Sequence, residues 1–328
     1  MTSPLRIAIV GHGNLGRGVE AALLKTADAE LVGIYTRRDP AAVTPVTPGA
    51  RVRPLDALES DADGIDVAIC CGGSRSDLPE QTPAIARFLP VVDSFDTHAR
   101  IPEHFERVDA AARAGGNVAL ISAGWDPGLF SINRLYGEAL LPDGDTYTFW
   151  GRGLSQGHSD AIRRVPGVAA GVQYTHPVPA AVDAVRSGAR PTLTTREKHT
   201  RECFVVLEPG ADGAAVREAI VTMPDYFADY DTTVTFVDAD ELARNHAGMP
   251  HGGFVIRAAE TSAGTRQVVE YSLRLESNPE LTAAVLVASA RAVARLQARG
   301  ETGAVTLLDV PPALLSPRSA ADLRRDLL

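Results

Sequence analysis

A glycine run, Gly11-His12-Gly13-Asn14-Leu15-Gly16, follows the apolar stretch at 6–10, and a second apolar stretch, 31–35, runs into Thr36-Arg37-Arg38. Residues of these types at this spacing suit one task, holding a dinucleotide. Gly11 permits the tight turn out of a strand, Gly13 lets backbone approach a pyrophosphate, and Gly16 lets the next helix pack on the sheet. The backbone amides of Asn14, Leu15 and Gly16 at the helix start then face the anion. An acid about 20 residues past the glycines would grip a ribose 2'-hydroxyl, whereas Thr36, Arg37 and Arg38 offer a hydroxyl and two cationic forks suited to a 2'-phosphate. NADP is therefore favoured over NAD. The plainer readings are a structural glycine turn and a solvated basic turn.

Further along, Asp96 and Asp126 each follow an expected strand and neighbour His98 and Trp125. Near a nicotinamide, such carboxylates either hold an ammonium group or accept its proton before hydride leaves. Each could equally cap a helix or tie down a loop. The stretch from Trp150 to Asp160 reads as a glycine-rich polar loop, with Gln156, Gly157 and His158 placed for directional contact with a ligand. Arg201 suits a two-pronged carboxylate contact, with Thr175, His251 and Asn278 as further donors. A surface ion pair for Arg201 and a loop hydrogen bond for His251 are the plain alternatives. Acids in the first half and cationic or hydroxyl donors in the second fit a small substrate with both amine and carboxylate groups.

These residues need elements to position them. Candidate strands at 6–10, 31–35, 66–71, 90–93 and 118–122 alternate with helical segments, which predicts a doubly wound parallel sheet over residues 1–122. Ligands in such sheets gather beyond the strand C-termini. That puts Gly72, Gly73 and Ser74, just past Cys71 at a strand end, residues 93–98 with Asp96, and Gly124, Trp125 and Asp126 on loops around one crevice, with Cys71 a cofactor-side candidate. The proline-bearing 40–50 segment reads as an irregular connection. Extended segments at 146–150, 202–207, 231–237, 253–259 and 266–275, with few helices between, predict an α+β domain over 123–277 with a mostly antiparallel sheet. An alanine-rich helix at 281–298 opens a C-terminal return, 278–328, assigned to the first domain by fold analogy.

The chain has 328 residues, 41 acidic against 32 basic, for a formal net charge of -9. This balance argues against partnership with nucleic acid or an anionic membrane surface. No secretory signal is evident in MTSPLR, and no stretch reads as long and charge-free enough to span a bilayer, so a cytoplasmic protein is expected. Cys70, Cys71 and Cys203 form neither a disulfide framework nor a metal-ligand pattern. No metal is expected.

At these positions the sequence closely resembles the meso-diaminopimelate D-dehydrogenase family. The matching segments are IAIVGHGNLGR at 7–17, VDSFDTH at 92–98, ISAGWDPGLFSINR at 121–134, TFWGRGLSQGHSDAIRRVPGV at 148–168, TMPDYF at 222–227, GMPHGG at 248–253 and VEYSLRLESNPE at 269–280. They run in order over nearly the whole chain, and the two tryptophan segments are far more specific than the glycine run. The resemblance implies reversible NADP-dependent oxidative deamination of meso-2,6-diaminopimelate at its D-centre, releasing L-2-amino-6-oxopimelate, ammonium and NADPH. It implies a homodimer formed mainly through the second domain. It also assigns Asp96 and Asp126 to the reacting amine, Trp125, Trp150, Gln156, Gly157 and His158 to the site walls, and Thr175, Arg201, His251 and Asn278 to the distal L-configured end. Arg100 departs from the family, whose members often carry an acid there. Two rival readings are a related amino-acid dehydrogenase with another substrate and a non-catalytic dinucleotide sensor.

Overall fold

The computed structural model describes residues 3–328, the Gln156 side chain excepted. In chain order the elements are β1 (Leu5–Val10), α1 (Asn14–Leu24), β2 (Ala29–Thr36), β3 (Val52–Pro54), β4 (Val67–Cys70), α2 (Leu78–Ala86), β5 (Val91–Asp93), α3 (Ile101–Gly115), β6 (Val118–Leu120) and α4 (Leu129–Leu140). Then follow β7 (Gly144–Trp150), β8 (Gly153–Leu154), α5 (Gln156–Arg163), β9 (Val168–Pro177), α6 (Pro179–Arg186), α7 (Thr195–Lys198), β10 (His199–Leu207) and α8 (Gly213–Val221). The remainder is β11 (Asp231–Phe236), α9 (Ala239–Asn245), β12 (His251–Ser262), β13 (Thr265–Leu275), α10 (Asn278–Ala298), β14 (Gly303–Val305) and α11 (Ala320–Leu327).

Two compact units form, one from Met1–Ile132 with Pro279–Leu328 and the other from Asn133–Asn278. The first therefore runs past the expected boundary at 122 and carries the whole Trp125-Asp126 segment. Its seven strands lie in the order β14-β6-β5-β4-β1-β2-β3, every neighbouring pair parallel. A parallel sheet is covered on both faces, so its strands are apolar throughout. In β1, Ile7 and Ile9 enter one core while Ala8 and Val10 enter the other, as the two-residue side-chain period of a strand dictates. The order reverses between β1 and β4, the place where such sheets open a ligand crevice.

The return segment adds both a helix and a strand to this unit. Helix α10 corrects the sequence expectation about membrane spans, because its 21 residues include an 18-residue window with a mean hydropathy of 1.3, long and apolar enough to cross one. Its apolar face is already used: Ala283, Leu286, Ala290 and Val293 are fully buried in the sheet's core. Arg291, in the same helix, pairs with Asp28 at 2.7 Å. That is the environment of a core helix. The irregular 40–50 connection contains one short 3-10 turn, Pro40–Ala42, and is pinned where buried Glu20 accepts from the amides of Val46 and Thr47.

In the second unit the extended segments form two sheets rather than one. One has the order β11-β10-β9-β8, with β10 and β11 parallel and the other pairs antiparallel; the other, β13-β12-β7, is antiparallel throughout. Strand β9 was not foreseen, since Gly171 and Pro177 break its apolar pattern. The presumed loop at 151–160 is a correction too. It folds as β8 and the start of α5, with Ser155 as the N-cap accepting from the His158 amide.

Candidate active site

The candidate nucleotide site is built at the C-terminal edge of β1 and β4. Gly11 has a left-handed backbone (φ +91°), and a side chain there would press on the Cys71-Gly72 peptide at 3.4 Å. A Cβ on Gly16 would lie 2.2 Å from the Gly11 carbonyl oxygen, so only glycine lets α1 start this close to the strand. Gly13, by contrast, opens onto free space, with no heavy atom within 4 Å of where a Cβ would stand. It is also the N-cap of α1, with no side-chain cap and no acid in the first turn. The amides of Asn14, Leu15 and Gly16 thus head a helix whose positive end is available to an anion.

The basic turn after β2 is tied to this loop. The Arg38 Nη2 donates to the His12 carbonyl at 2.6 Å, and the buried Thr36 hydroxyl accepts from the Arg38 amide at 3.1 Å. Arg37 donates to Asp77 Oδ1 at 2.5 Å, while Asp77 Oδ2 accepts from the Gly73 amide at 2.9 Å. Burial pushes the Asp77 carboxyl up, but the Gly73 amide and Arg37 outweigh it and hold the acid below its ordinary range. Asp77 escaped sequence reading because it lies far in sequence from the arginine it holds. Burial keeps the Cys71 thiol protonated and in the core, so this residue contributes its peptide rather than its sulfur. Open space at Gly13, an anion-ready helix start and two exposed arginines fit a phosphorylated dinucleotide.

The acids sit on the next two loops. Asp96 is exposed, and its amide donates to the Ser74 hydroxyl at 2.8 Å, joining this loop to the Gly72-Ser74 turn. Asp126 is half-buried in a tight loop closed by the Phe130 amide donating to the Trp125 carbonyl at 2.8 Å. The buried Trp125 ring meets Phe130 edge to face, 5.3 Å between centroids.

The predicted distal residues converge within the second unit. Thr175 and Arg201 are direct cross-strand partners in β9 and β10, and Gly153 of β8 pairs Thr175 from its other side. A Cβ on Gly153 would strike the His251 ring at 2.4 Å, so glycine makes the room for His251. The Asn278 amide donates to the Met249 carbonyl at 3.0 Å, bringing Asn278 to the same segment. Gly157 is exposed in the first turn of α5, and the Gln156 side chain lies outside the described residues.

Arg201 is only 7% exposed, yet among the described residues no carboxylate pairs with it. Its Nη1 donates to the Thr175 hydroxyl, its guanidinium lies 3.9 Å from the Tyr230 ring centroid, and its Nε is buried with no partner. Gln173, which sequence reading missed, also donates to Thr175 Oγ1 at 3.2 Å and has a buried, unpartnered Oε1. Two donors on one hydroxyl oxygen leave its proton to donate elsewhere. Buried polar groups in proteins are nearly always paired with protein or ordered water, so these atoms keep hydrogen-bonding capacity for a ligand or a water.

His158 and His199 stay neutral. Burial, aided by the Arg201 charge, lowers His158 to about 4, and burial with Arg201 and Lys198 lowers His199 to about 3. Neutral His199 accepts the Trp150 amide at 2.8 Å and stacks on the indole at 5.3 Å, fixing Trp150. Sequence reading had passed over His199. An unfolded histidine titrates near 6.5, so as the pH falls the unfolded chain takes the proton first and the fold loses stability from about 6.5 down to the folded pKa. At pH 5 this amounts to about 2 kcal/mol for His199. His199→Gln is expected to lose roughly that much less stability than the wild type between pH 7 and pH 5 in urea unfolding; equal losses would refute the neutral assignment.

No group of three metal-ligating side chains occurs among the described residues. A doubly wound nucleotide sheet with two acid-bearing loops, and a second unit holding a buried arginine with unmatched hydrogen-bonding capacity, define a two-domain nicotinamide-dependent dehydrogenase of amino acids. The comparisons narrow this. Residues 124–277 match the diaminopimelic acid dehydrogenase C-terminal domain. The chain is 60% identical over 326 residues to a meso-diaminopimelate D-dehydrogenase of Lysinibacillus sphaericus, covering 99% of this chain and 100% of the relative. It superposes with a TM-score of 0.93 at 46% identity on the C. glutamicum DAP dehydrogenase in complex with DAP, covering 100% of both chains. It superposes with a TM-score of 0.87 at 44% identity on an engineered D-amino acid dehydrogenase bound to NADP+, covering 99% and 100%. The chain belongs to the meso-diaminopimelate D-dehydrogenase family.

Proposed function

We propose that this chain catalyses the reversible, NADP-dependent oxidative deamination of meso-2,6-diaminopimelate at its D-centre, giving L-2-amino-6-oxopimelate, ammonium and NADPH, in diaminopimelate and lysine biosynthesis. The observation that carries the reading is Arg201, a buried cation whose unmet hydrogen-bonding capacity suits a substrate carboxylate. NADP, when bound, supplies the acceptor for the hydride that leaves the D-carbon.

The chain's own residues do the rest. Gly11, Gly13, Asn14, Leu15 and Gly16 take the pyrophosphate, Thr36, Arg37 and Arg38 the 2'-phosphate, and Cys71, Gly72 and Ser74 line the same loop edge. Asp126 takes the proton from the substrate ammonium, freeing the lone pair that drives hydride departure. Asp96 orients the amine. Trp125 and Trp150, with Gln156, Gly157 and His158, wall the site, and the substrate iminium left by hydride departure takes up one water, whose oxygen becomes the oxo group as the C–N bond breaks and ammonium leaves. Thr175, Arg201, His251 and Asn278 bind the distal amino-acid end, and a shorter substrate leaves those buried donors unpaired.

Purified protein with NADP and, separately, meso-, LL- and DD-diaminopimelate and D-alanine tests the reading through the absorbance of reduced nicotinamide. Turnover confined largely to the meso isomer is expected. Comparable efficiency on D-alanine would sink the distal assignment, and cofactor binding without turnover on any of the four would favour a sensor. Arg37→Ala combined with Arg38→Ala is expected to lower the preference for NADP over NAD by about 10²–10⁴-fold, since hydrogen bonds to charged groups are worth roughly 1.5–3 kcal/mol each. An unchanged ratio would refute the phosphate contacts. Exposed Val268 and Val269 on the edge strand β13 support a homodimer in which a second copy covers this surface. A cytoplasmic location accords with three buried free cysteines.

A further inference from the structure

Asp93 ends β5 as a fully buried residue whose carboxylate accepts four hydrogen bonds. Oδ1 accepts from the amides of Phe95 at 3.0 Å and Ser122 at 2.8 Å, while Oδ2 accepts from the Thr82 hydroxyl at 2.8 Å and from His104 Nε2 at 2.7 Å. Its own carbonyl accepts from the Ala123 amide at 2.9 Å. Phe95 immediately precedes Asp96, and Ser122 opens the segment that carries Trp125 and Asp126. One buried side chain therefore holds the roots of both acid-bearing loops.

The geometry points to Asp93 as a positioning residue for the dehydrogenase reaction, one that sets Asp96 and Asp126 relative to each other; this rests on the roles given to those two acids above. Ser122 has a left-handed backbone (φ 56°), which a residue with a Cβ adopts only when its surroundings hold it there. The Asp93 bond to its amide is that hold. On the other loop, the Phe95 ring stacks on His104 at 4.1 Å, so His104 steadies the Phe95 side chain and the Asp93 carboxylate together. Thr82 comes from α2 and His104 from α3, so the carboxylate is braced by two helices that carry none of the assigned site residues. Misplacing a catalytic group by about an ångström is enough to cost 10²-fold in rate, which is the sensitivity such a brace serves.

The test compares Asp93→Ala and Asp93→Asn for kcat, KM for meso-diaminopimelate and NADPH affinity by fluorescence titration. Asparagine keeps one oxygen for the two amides and turns its NH2 toward Thr82 and His104. Positioning predicts a kcat loss of about 100-fold for the alanine variant, recovery to within about tenfold by asparagine, and NADPH affinity within about threefold for both. Unchanged kcat in a folded alanine variant would overturn the inference, as would parallel losses of kcat and NADPH affinity in both variants. If Asp93→Ala does not fold, Thr82→Val and His104→Gln carry the test, each expected to lower kcat several-fold with NADPH affinity unchanged; unaltered kcat in both would overturn it. Asp96→Asn and Asp126→Asn run alongside, because full activity in those two would fault the acid assignment rather than the brace.

Discussion

Asp126→Asn is expected to lower kcat by about 10²–10⁴-fold, the usual worth of a positioned general base, while leaving KM and NADPH affinity within a few-fold of wild type. The amide fills the same volume and still accepts a hydrogen bond, so ground-state binding survives, but it cannot take the ammonium proton. Without that transfer the nitrogen lone pair stays committed to N–H bonding and cannot push hydride from the carbon. Asp96 is exposed and anchored through its amide to Ser74, and with the orienting role proposed above Asp96→Asn is expected to raise KM and cost kcat less. Steady-state and single-turnover kinetics separate the two. The opposite ranking would exchange the roles, and a kcat within threefold of wild type for Asp126→Asn would remove it from proton transfer.

The parts legible in the sequence are those whose signal is local. The Gly11-to-Gly16 loop is dictated by steric demands among residues a few positions apart, and the apolar strands of the parallel sheet by burial on both faces. The candidate site residues in the second unit, such as Trp150, Arg201 and His251, were open to plain structural readings from residue type alone, and their roles came from the family resemblance. Long-range features stayed hidden. Asp77, Asp93, Gln173 and His199 are ordinary polar residues until tertiary contact gives each a partner, and β14 joins the sheet beside β6 only after the chain returns from the second unit. The helix α5 was masked by its glycine-rich approach, although Ser155 already carried an N-cap signal.

Arg201→Met is expected to reduce kcat/KM for meso-diaminopimelate by about two to three and a half orders of magnitude, because stripping one partner from a buried charge pair costs roughly 3–5 kcal/mol. NADPH affinity is expected to stay unchanged. The same substitution is expected to stabilise the ligand-free protein by about 1–4 kcal/mol, as replacement of buried charge by apolar volume does elsewhere. Burial already lowers the Arg201 pKa, and the cation rests on the Tyr230 face and Thr175 rather than on an acid. A purely structural arginine would behave in the opposite way, its loss leaving Thr175 and Tyr230 underpacked and the fold weaker. Urea unfolding of the unliganded variant beside its kinetics distinguishes the cases: higher stability with collapsed kcat/KM marks a group kept for the substrate at the expense of the fold, whereas lower stability with near-normal kinetics would return Arg201 to the scaffold.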